Sequence, residues 1–339
     1  MYPGNRHSGV KTDMGRRVAP PKATGGGGGG FENNVAAYFL SFLLAGRPPL
    51  NPDFGVVSRI DFQTRVDGWF LDDMLLTLTS GSRTRQCAFS AKSGQQFTGK
   101  RVPREFVEDA WRQYLHDDTE QFVRARDRLG LITRPLPGDL FARLNTLLAK
   151  ARAQDPRDLP TRLQERGYAS QAERSLFASL ACPENLRAKY GPTSADTAEL
   201  AQHLEFLTAD FEIEPSTFQQ NAVGNCQSSL TSGSPEEAAS LWRELVSIAS
   251  THRPVSGYVD RVKLVDRLRS KFRLRDYPDH EEDWSRLLAQ AKQGVDAVAD
   301  RIGGRVSLPR KAECEQIDAA LAAGRAVALL VPSDKSTIL

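Results

Sequence analysis

The chain has 339 residues, of which 40% are hydrophobic and 26% are charged, with a formal net charge of +3. These proportions are ordinary for a soluble globular protein, and the length suits one large domain or, better, two. The charge is too small to indicate nucleic-acid binding by itself, and no apolar run approaches the roughly 18 residues of a membrane span. The N-terminus lacks the apolar stretch of a secretory signal.

Four cysteines lie far apart with no CxxC pair, and the five histidines show no metal-ligand spacing. This pattern argues against a zinc site or a disulfide framework and favours reduced thiols in a cytoplasmic protein. We expect no membrane partner.

Residues 1–30 are expected to form a disordered basic tail and a linker. Residues 1–24 contain too few apolar side chains to form a core, so they are read as a solvated tail, although their basic residues could also contact DNA phosphates. Residues 25–30 are all glycine and are predicted to act as a hinge.

Residues 31–135 are predicted to form a small α/β domain. A helix is expected over residues 31–45, a strand over 56–66 and a β-hairpin over 69–92, followed by an amphipathic helix over 104–116. Ser80, Gly81 and Ser82 supply the turn of the hairpin.

Residues 136–310 have the composition of a mainly α-helical domain. Helices are predicted over residues 139–153, 171–180 (with Ser170 as N-cap), 195–206, 235–249, 262–272 and 281–298. A strand is expected over 207–214 and a polar loop over 224–233.

Residues 311–339 form a C-terminal tail in this scheme. The apolar stretch 324–331 is expected to be a strand, and the Pro-Ser-Asp-Lys-Ser-Thr that follows lacks the glycines of a nucleotide-binding P-loop. It is either a degenerate P-loop-like end or the start of an ATPase module.

The hairpin carries the candidate chemistry. Asp72 and Asp73 precede its first apolar strand, while Ser90, Ala91 and Lys92 end the second, so the two sets are expected to converge. Oxygen ligands beside an ammonium group suit a divalent metal ion and phosphodiester hydrolysis. Taken alone, two acids and a lysine are more often the ordinary polar ends of a hairpin.

Each residue of this set has an expected role. Asp73 is the preferred metal ligand because it directly precedes the strand, and Asp72 is the reserve, since alternation lets only one of them face the site. Lys92 would orient the attacking water, and the Ala91 carbonyl would complete the metal shell.

Glu32 is a further candidate metal ligand and catalytic carboxylate. It lies on an otherwise apolar helical stripe, where an unpaired carboxylate is costly. A position in the first helical turn, favoured by the helix dipole, explains it equally well.

The order of these elements, with Glu32, Asp73, Ser90 and Lys92, resembles the PD-(D/E)XK restriction-endonuclease-like superfamily. It is most similar to the Mrr-like and double-stranded-DNA endonuclease domains found at the N-terminus of bacterial anti-phage defence proteins. The resemblance covers about residues 30–130. It implies an α/β restriction-endonuclease-like N-terminal domain followed by a mainly α-helical domain, a Mg²⁺ or Mn²⁺ cofactor, and association with a STAND-type ATPase. Ser90 stands where the superfamily usually has an acid.

The predicted function is therefore metal-dependent cleavage of double-stranded DNA by an effector of an anti-phage defence system. Positive charges expected to hold the DNA phosphates are Arg59, Arg65, Lys100, Arg101 and Arg104. An ATPase or sensor protein of the same system is a further expected partner, and a homo-oligomer is compatible with the sequence. The alternative is an inactive nuclease-fold module that serves as a platform for DNA or protein binding.

Overall fold

The computed structural model describes residues 28–94, 97, 101–116 and 121–275, and only short stretches beyond them (286–290, 293, 301–302, 306–307, 315–316 and 318–319). The chain divides into two compact units, Met1–Arg275 and Asp276–Leu339. In the second unit, the described strands β7 (Arg301–Ile302) and β8 (Val306–Ser307) form an antiparallel pair.

The first unit is a mixed α/β structure in which helices cover both faces of one sheet. Its strands are β1 (Val56–Phe62), β2 (Met74–Ser80), β3 (Arg83–Lys92), β4 (Arg128–Thr133), β5 (Leu204–Thr208) and β6 (Tyr258–Asp260). Its helices are α1 (Gly28–Ala45), α2 (Arg104–Leu115), α3 (Leu140–Ala153), α4 (Leu159–Arg162), α5 (Gln171–Ser179), α6 (Glu184–Tyr190), α7 (Ser194–His203), α8 (Thr217–Ser229), α9 (Pro235–His252) and α10 (Arg261–Leu268).

The sheet has the strand order β5-β4-β3-β2-β1-β6. Strands β6, β1, β2 and β3 pair antiparallel, whereas β3, β4 and β5 run parallel. Because β3, β4 and β5 share one direction, their carboxyl ends lie at one edge of the sheet and their amino ends at the opposite edge.

Two hydrophobic clusters, one on each face of the sheet, form the core. Neighbouring residues of β3 belong to different clusters: Ala88 packs with α2, α3 and α7, and Phe89 packs with α1, α8 and α9. The Phe39 ring of α1 stacks on the Phe89 ring with centroids 5.8 Å apart. A strand buried on both faces carries apolar residues at consecutive positions, as the central strands do here.

Much of the predicted secondary structure is confirmed. The first helix, the hairpin and the helices beginning near residues 104, 139, 171, 235 and 262 are present, and Ser170 caps α5 through a capping box with Glu173. The predicted strand over 56–66 ends at Phe62, because a 3₁₀ turn follows at Thr64–Asp67.

Other predictions were wrong. Residues 224–229 belong to helix α8, capped by Ser216, and are not a loop. The strand expected over 207–214 lies at Leu204–Thr208, directly after α7, which ends at His203. Strand β4, which determines where β5 pairs, was not anticipated. Gly28, Gly29 and Gly30 begin α1 and are not part of a hinge.

The sheet also crosses the predicted boundary at residue 135, because β5 and β6 come from the segment assigned to a helical domain. The described helices on that segment cover both faces of the same sheet. The predicted tail (1–24), the C-terminal tail with its apolar stretch (324–331) and most of the predicted helix 281–298 lie outside the described residues.

Candidate functional site

The hairpin brings Asp73, Ser90, Ala91 and Lys92 together. One carboxylate oxygen, Asp73 Oδ2, accepts hydrogen bonds from the Ala91 backbone N–H at 2.9 Å and the Ser90 hydroxyl at 3.1 Å. The same oxygen lies 2.8 Å from Lys92 Nζ. The convergence arises because Asp73 directly precedes β2 while Ser90 to Lys92 close β3, and Met74 pairs with Phe89 across the hairpin.

This cluster is largely removed from water. Asp73 is 7% exposed and Ser90 is 8% exposed. A carboxylate in such a position requires hydrogen-bond donors and a nearby cation, and these three donors meet that need. Ser90 therefore acts as a donor to the acid rather than as an acid itself.

Lys92 is held in its charged form. Burial lowers the pKa of Lys92, but the charge of Asp73 and the hydrogen bond to it outweigh burial, and Glu32 and Asp72 add to the effect. The pKa of Lys92 therefore lies above its ordinary value. The group is an ammonium ion at neutral pH, suited to binding an anion rather than to accepting a proton.

Asp72 points to a different partner from Asp73. Its carboxylate lies 3.8 Å from Arg65 Nη1. Burial and the neighbouring charge of Asp73 raise the pKa of Asp72, although Arg65 opposes them. The two adjacent acids thus separate as strand alternation predicts, with Asp73 in the cluster and Asp72 beside it.

Glu32 reaches the neighbourhood of the cluster from α1. Its charge contributes to the raised pKa of Lys92, so the two groups lie within electrostatic range. Its carboxylate is ion-paired with Arg253, which also donates to Asn33 Oδ1 at 2.8 Å. The pairing removes the cost of a lone carboxylate on the apolar stripe of α1.

The donor set can be tested against a divalent metal ion. Among the described residues, no three His, Cys, Asp or Glu side chains are grouped so as to hold one. Mg²⁺ is commonly bound by only one or two carboxylates, with waters and phosphate oxygens completing the shell. Asp73 and Glu32 are a set of that size. The Ala91 group that meets Asp73 is its N–H, which is a donor and cannot bind a cation.

The structure describes four of the five cations predicted to hold DNA phosphates. Arg59 is hydrogen-bonded to Asp61 and packs on the Tyr258 ring, with its guanidinium 4.0 Å from the ring centroid. Arg65 lies beside Asp72. Arg101 and Arg104 line a cavity together with Ser175, Ser179 and Glu184, whereas Lys100 lies outside the described residues.

Sequence reasoning missed two features. Arg253, the partner of Glu32, is 221 positions away in the chain, and nothing in the local sequence marks it. A second polar cluster around Arg128 and His203 was also missed. The apolar run Leu129–Ile132, a short buried strand bounded by charged residues, was the available signal for it.

The comparisons with known proteins give distant structural matches alone. No protein-family model matches the chain, and neither does any curated protein. An Acinetobacter baumannii Cap4 SAVED/CARF-domain containing receptor matches with a TM-score of 0.42 at 11% identity, over 74% of this chain and 49% of the receptor. The same receptor with the cyclic trinucleotide 3'3'3'-cAAA has a TM-score of 0.41 at 11% identity, over 74% and 47%.

A Moraxella osloensis Cap4 SAVED/CARF-domain containing receptor has a TM-score of 0.39 at 13% identity, over 70% of this chain and 46% of the receptor. This chain therefore spans about half the length of the structures that it matches.

These matches overturn one prediction. The matched structures are SAVED/CARF-domain receptors and not PD-(D/E)XK nucleases, so the predicted membership of that superfamily, and with it the Mrr-like and STAND-associated assignment, was wrong. The restriction-endonuclease-like label for the fold is likewise unsupported. The physical reason lies in the signal: four positions over some sixty residues, one without its acid, are few constraints, and a helix, a strand and a hairpin recur in many α/β proteins.

The coarser parts of the predictions stand. The first unit is a mixed α/β sheet with helical regions. Within the part of the chain that the structure describes, none of the helices has the length and apolar character needed to cross a bilayer.

Proposed function

We propose that the cluster of Asp73, Ser90 and Lys92 is a phosphodiester-hydrolysing site that acts on DNA as part of a bacterial anti-phage defence system. The observation that carries this proposal is the 2.8 Å contact between Lys92 Nζ and Asp73 Oδ2 at the edge of the sheet. An ammonium group beside a buried carboxylate supplies both an anion-binding group and a metal-binding oxygen at one place.

The residues would divide the work as follows. Lys92, whose raised pKa keeps it charged, would hold a phosphate oxygen and oppose the negative charge that builds up during attack. Asp73 would bind the metal ion through the carboxylate oxygen that the cluster does not use. Glu32 would give up its ion pair with Arg253 and become a second ligand of the metal ion, and Asp72 is the alternative ligand.

The proposed cofactor is Mg²⁺ or Mn²⁺. When bound, such an ion lowers the pKa of a coordinated water and neutralises phosphate charge. Ser90 and the Ala91 N–H hold the Asp73 carboxylate in one orientation, so a ligand oxygen is prepared in advance.

A second candidate function is a non-catalytic platform that binds DNA or a protein. The observation that favours it is that each acid near the sheet edge already has a cation: Asp73 has Lys92, Glu32 has Arg253 and Asp72 has Arg65. Each acid is therefore neutralised by a side chain of the protein and does not need a metal ion for that purpose.

Cleavage of supercoiled plasmid with Mg²⁺ or Mn²⁺ distinguishes the two functions. We expect nicking or linearisation by the wild type, and its loss in Asp73→Asn and in Lys92→Met. Lys271→Met is the matched control, because Lys271 is also 2.8 Å from a carboxylate, that of Glu244, but on the exposed surface. Gel-shift binding without cleavage under either metal would establish the platform, and cleavage that survives in both variants would rule out this site.

A further inference from the structure

A cavity of about 610 Å³ lies at the other end of the parallel strands. Its wall includes Phe54, Arg124, Arg128, Arg152 and His203. Arg128 is the first residue of β4, and β3 pairs with it through Cys87, whereas Lys92 pairs with Thr133 at the far end of the same ladder. Five residues of strand separate the two ends, which is roughly 16 Å.

Positive charge is concentrated in this cavity. Three arginines line it, and a fourth, Arg85, packs its guanidinium 4.0 Å from the centroid of the Phe54 ring. The acids of the wall are Glu199 and Glu205. Glu205 Oε1 forms an ion pair with Arg152 Nη2 at 2.8 Å and lies 4.0 Å from Arg128 Nε.

His203 adds no charge. Burial, with Arg128 next in effect, lowers the pKa of His203 to about 4. Arg128 Nη1 lies 3.3 Å from His203 Nδ1, and since a guanidinium can only donate, this ring nitrogen accepts. The histidine therefore orients Arg128 as a neutral acceptor, and the three guanidinium groups of the wall outnumber its two carboxylates.

Two buried guanidinium donors make no hydrogen bond with any described residue, although one of them has a carboxylate oxygen at 4.0 Å. They are Arg128 Nε and Arg85 Nη1. The remaining contacts of Arg128 hold it firmly, since its Nη1 donates to the Asp127 carbonyl at 2.8 Å and its guanidinium lies 5.3 Å from the centroid of the Phe54 ring. Buried donors held in place beside surplus positive charge are suited to an oxyanion.

We propose that this cavity binds the phosphate groups of a small phosphorylated ligand, such as a nucleoside polyphosphate. The volume is that of small-molecule sites, which span about 300–1,000 Å³. Arginine forks match phosphate oxygens in pairs. Three of them line the space, and Arg85 lies behind the Phe54 ring of the wall. A continuous DNA backbone fits less well, because Glu199 on the wall would repel part of its row of phosphates.

Isothermal titration calorimetry on the full chain tests the proposal with three probes: inorganic pyrophosphate, ATP and the cyclic trinucleotide 3'3'3'-cAAA. Comparing them separates recognition of phosphate alone from recognition of a nucleotide or of a cyclic oligonucleotide. Sulfate at equal ionic strength is the control for unspecific anion binding. We expect at least one phosphate probe to bind and to weaken about tenfold in Arg124→Gln and in Arg85→Gln, the loss of one charge-assisted contact.

Arg243→Gln is the matched control, because Arg243 is an exposed arginine on α9 whose described hydrogen bonds stay on that helix. Its affinity should stay within about twofold of the wild type. Thermal unfolding of every variant verifies that the fold is retained. The proposal is overturned if no probe binds at about 1 mM, if sulfate binds as tightly as pyrophosphate, or if both cavity variants keep wild-type affinity. Lys92 takes no part in this assay, so its outcome is separate from that of the cleavage test.

Discussion

The Asp73–Lys92 contact gives a stability prediction that can be worked out from its surroundings. Lys92→Met keeps the apolar stem of the side chain and removes the ammonium group from a carboxylate whose side chain is 9% exposed. A hydrogen bond to a charged group contributes about 1.5–3 kcal/mol to folding. Lys92 itself is 34% exposed, so solvent screens part of this value. We therefore expect a loss of roughly 2 kcal/mol in the free energy of unfolding.

A surface pair supplies the reference. Lys271 and Glu244 lie at the same 2.8 Å, but their side chains are 56% and 23% exposed. Exposed pairs contribute about 0.2–1 kcal/mol, so Lys271→Met should cost well under half as much as Lys92→Met. Both losses in the free energy of unfolding would be measured by urea unfolding at pH 7.5, followed by circular dichroism. The dependence of the free energy on urea concentration would be compared among the variants.

A double-mutant cycle isolates the pair. Asp73→Asn combined with Lys92→Met should cost less than the sum of the single changes by about 1 kcal/mol or more, because the second change no longer strands a buried charge. The reasoning would be refuted if Lys92→Met cost no more than Lys271→Met, or if the two single changes added without coupling.

The same ion pair predicts that the contribution of Lys92 to folding stability is lost at alkaline pH. The pKa of Lys92 is raised in the folded state, so its contribution is complete below the ordinary lysine value of about 10.4. The contribution is lost as pH rises through the raised folded pKa. The stability difference between wild type and Lys92→Met should therefore be constant from neutral pH to about pH 10 and shrink only above it.

Two further predictions concern the core. The pKa of His203 is lowered to about 4, so the unfolded chain binds the proton more readily than the folded chain. The free energy of unfolding should therefore fall by up to roughly 3 kcal/mol as the pH drops from about 6.5 to 4. A His203→Gln variant whose free energy of unfolding, measured in urea, falls just as much over this pH range would contradict this. A methyl group on Gly130 would lie 2.2 Å from the Phe89 ring, so Gly130→Ala should cost about 1–3 kcal/mol. Gly224→Ala, on a helix position with nothing within 4 Å, should be neutral or stabilising by about 0.5–1 kcal/mol in the same assay; equal costs for the two would show that close packing does not explain Gly130.

Local patterns carried the parts of the fold that depend on neighbours in sequence. The hairpin from Met74 to Lys92 was predictable because its turn and both apolar runs are contiguous. Its geometry also explains why Asp73, Ser90 and Lys92 meet. Strand β4 was missed because Leu129–Ile132 is a continuous apolar run without alternation, which is typical of a strand buried on both faces and resembles a piece of buried helix.

Contacts between residues far apart in the chain could not be predicted from the sequence. Strand β5 belongs beside β4 because the parallel register pairs Leu129 with Leu204, and without β4 the apolar residues after His203 could only be placed by composition. The ion pair between Glu32 and Arg253 is of the same kind, since it joins the start of α1 to the end of α9. The role of Glu32 stayed open between a helix-dipole acid and a site carboxylate because its partner lies on a distant element.

The charges at the sheet edge constrain how a metal ion could bind. Each of the three acids has its own cation, so a divalent ion shared by Asp73 and Glu32 would have to compete with Lys92 and Arg253. Ser90 fits this balance: an acid in its place would add a second buried negative charge beside Asp73 with no further cation to offset it. A phosphate group that engages Lys92 would draw the ammonium away from Asp73 and leave the carboxylate in need of a cation. Metal and substrate should therefore bind this cluster together more tightly than either binds alone, which is the behaviour expected of a hydrolytic site and not of a structural ion pair.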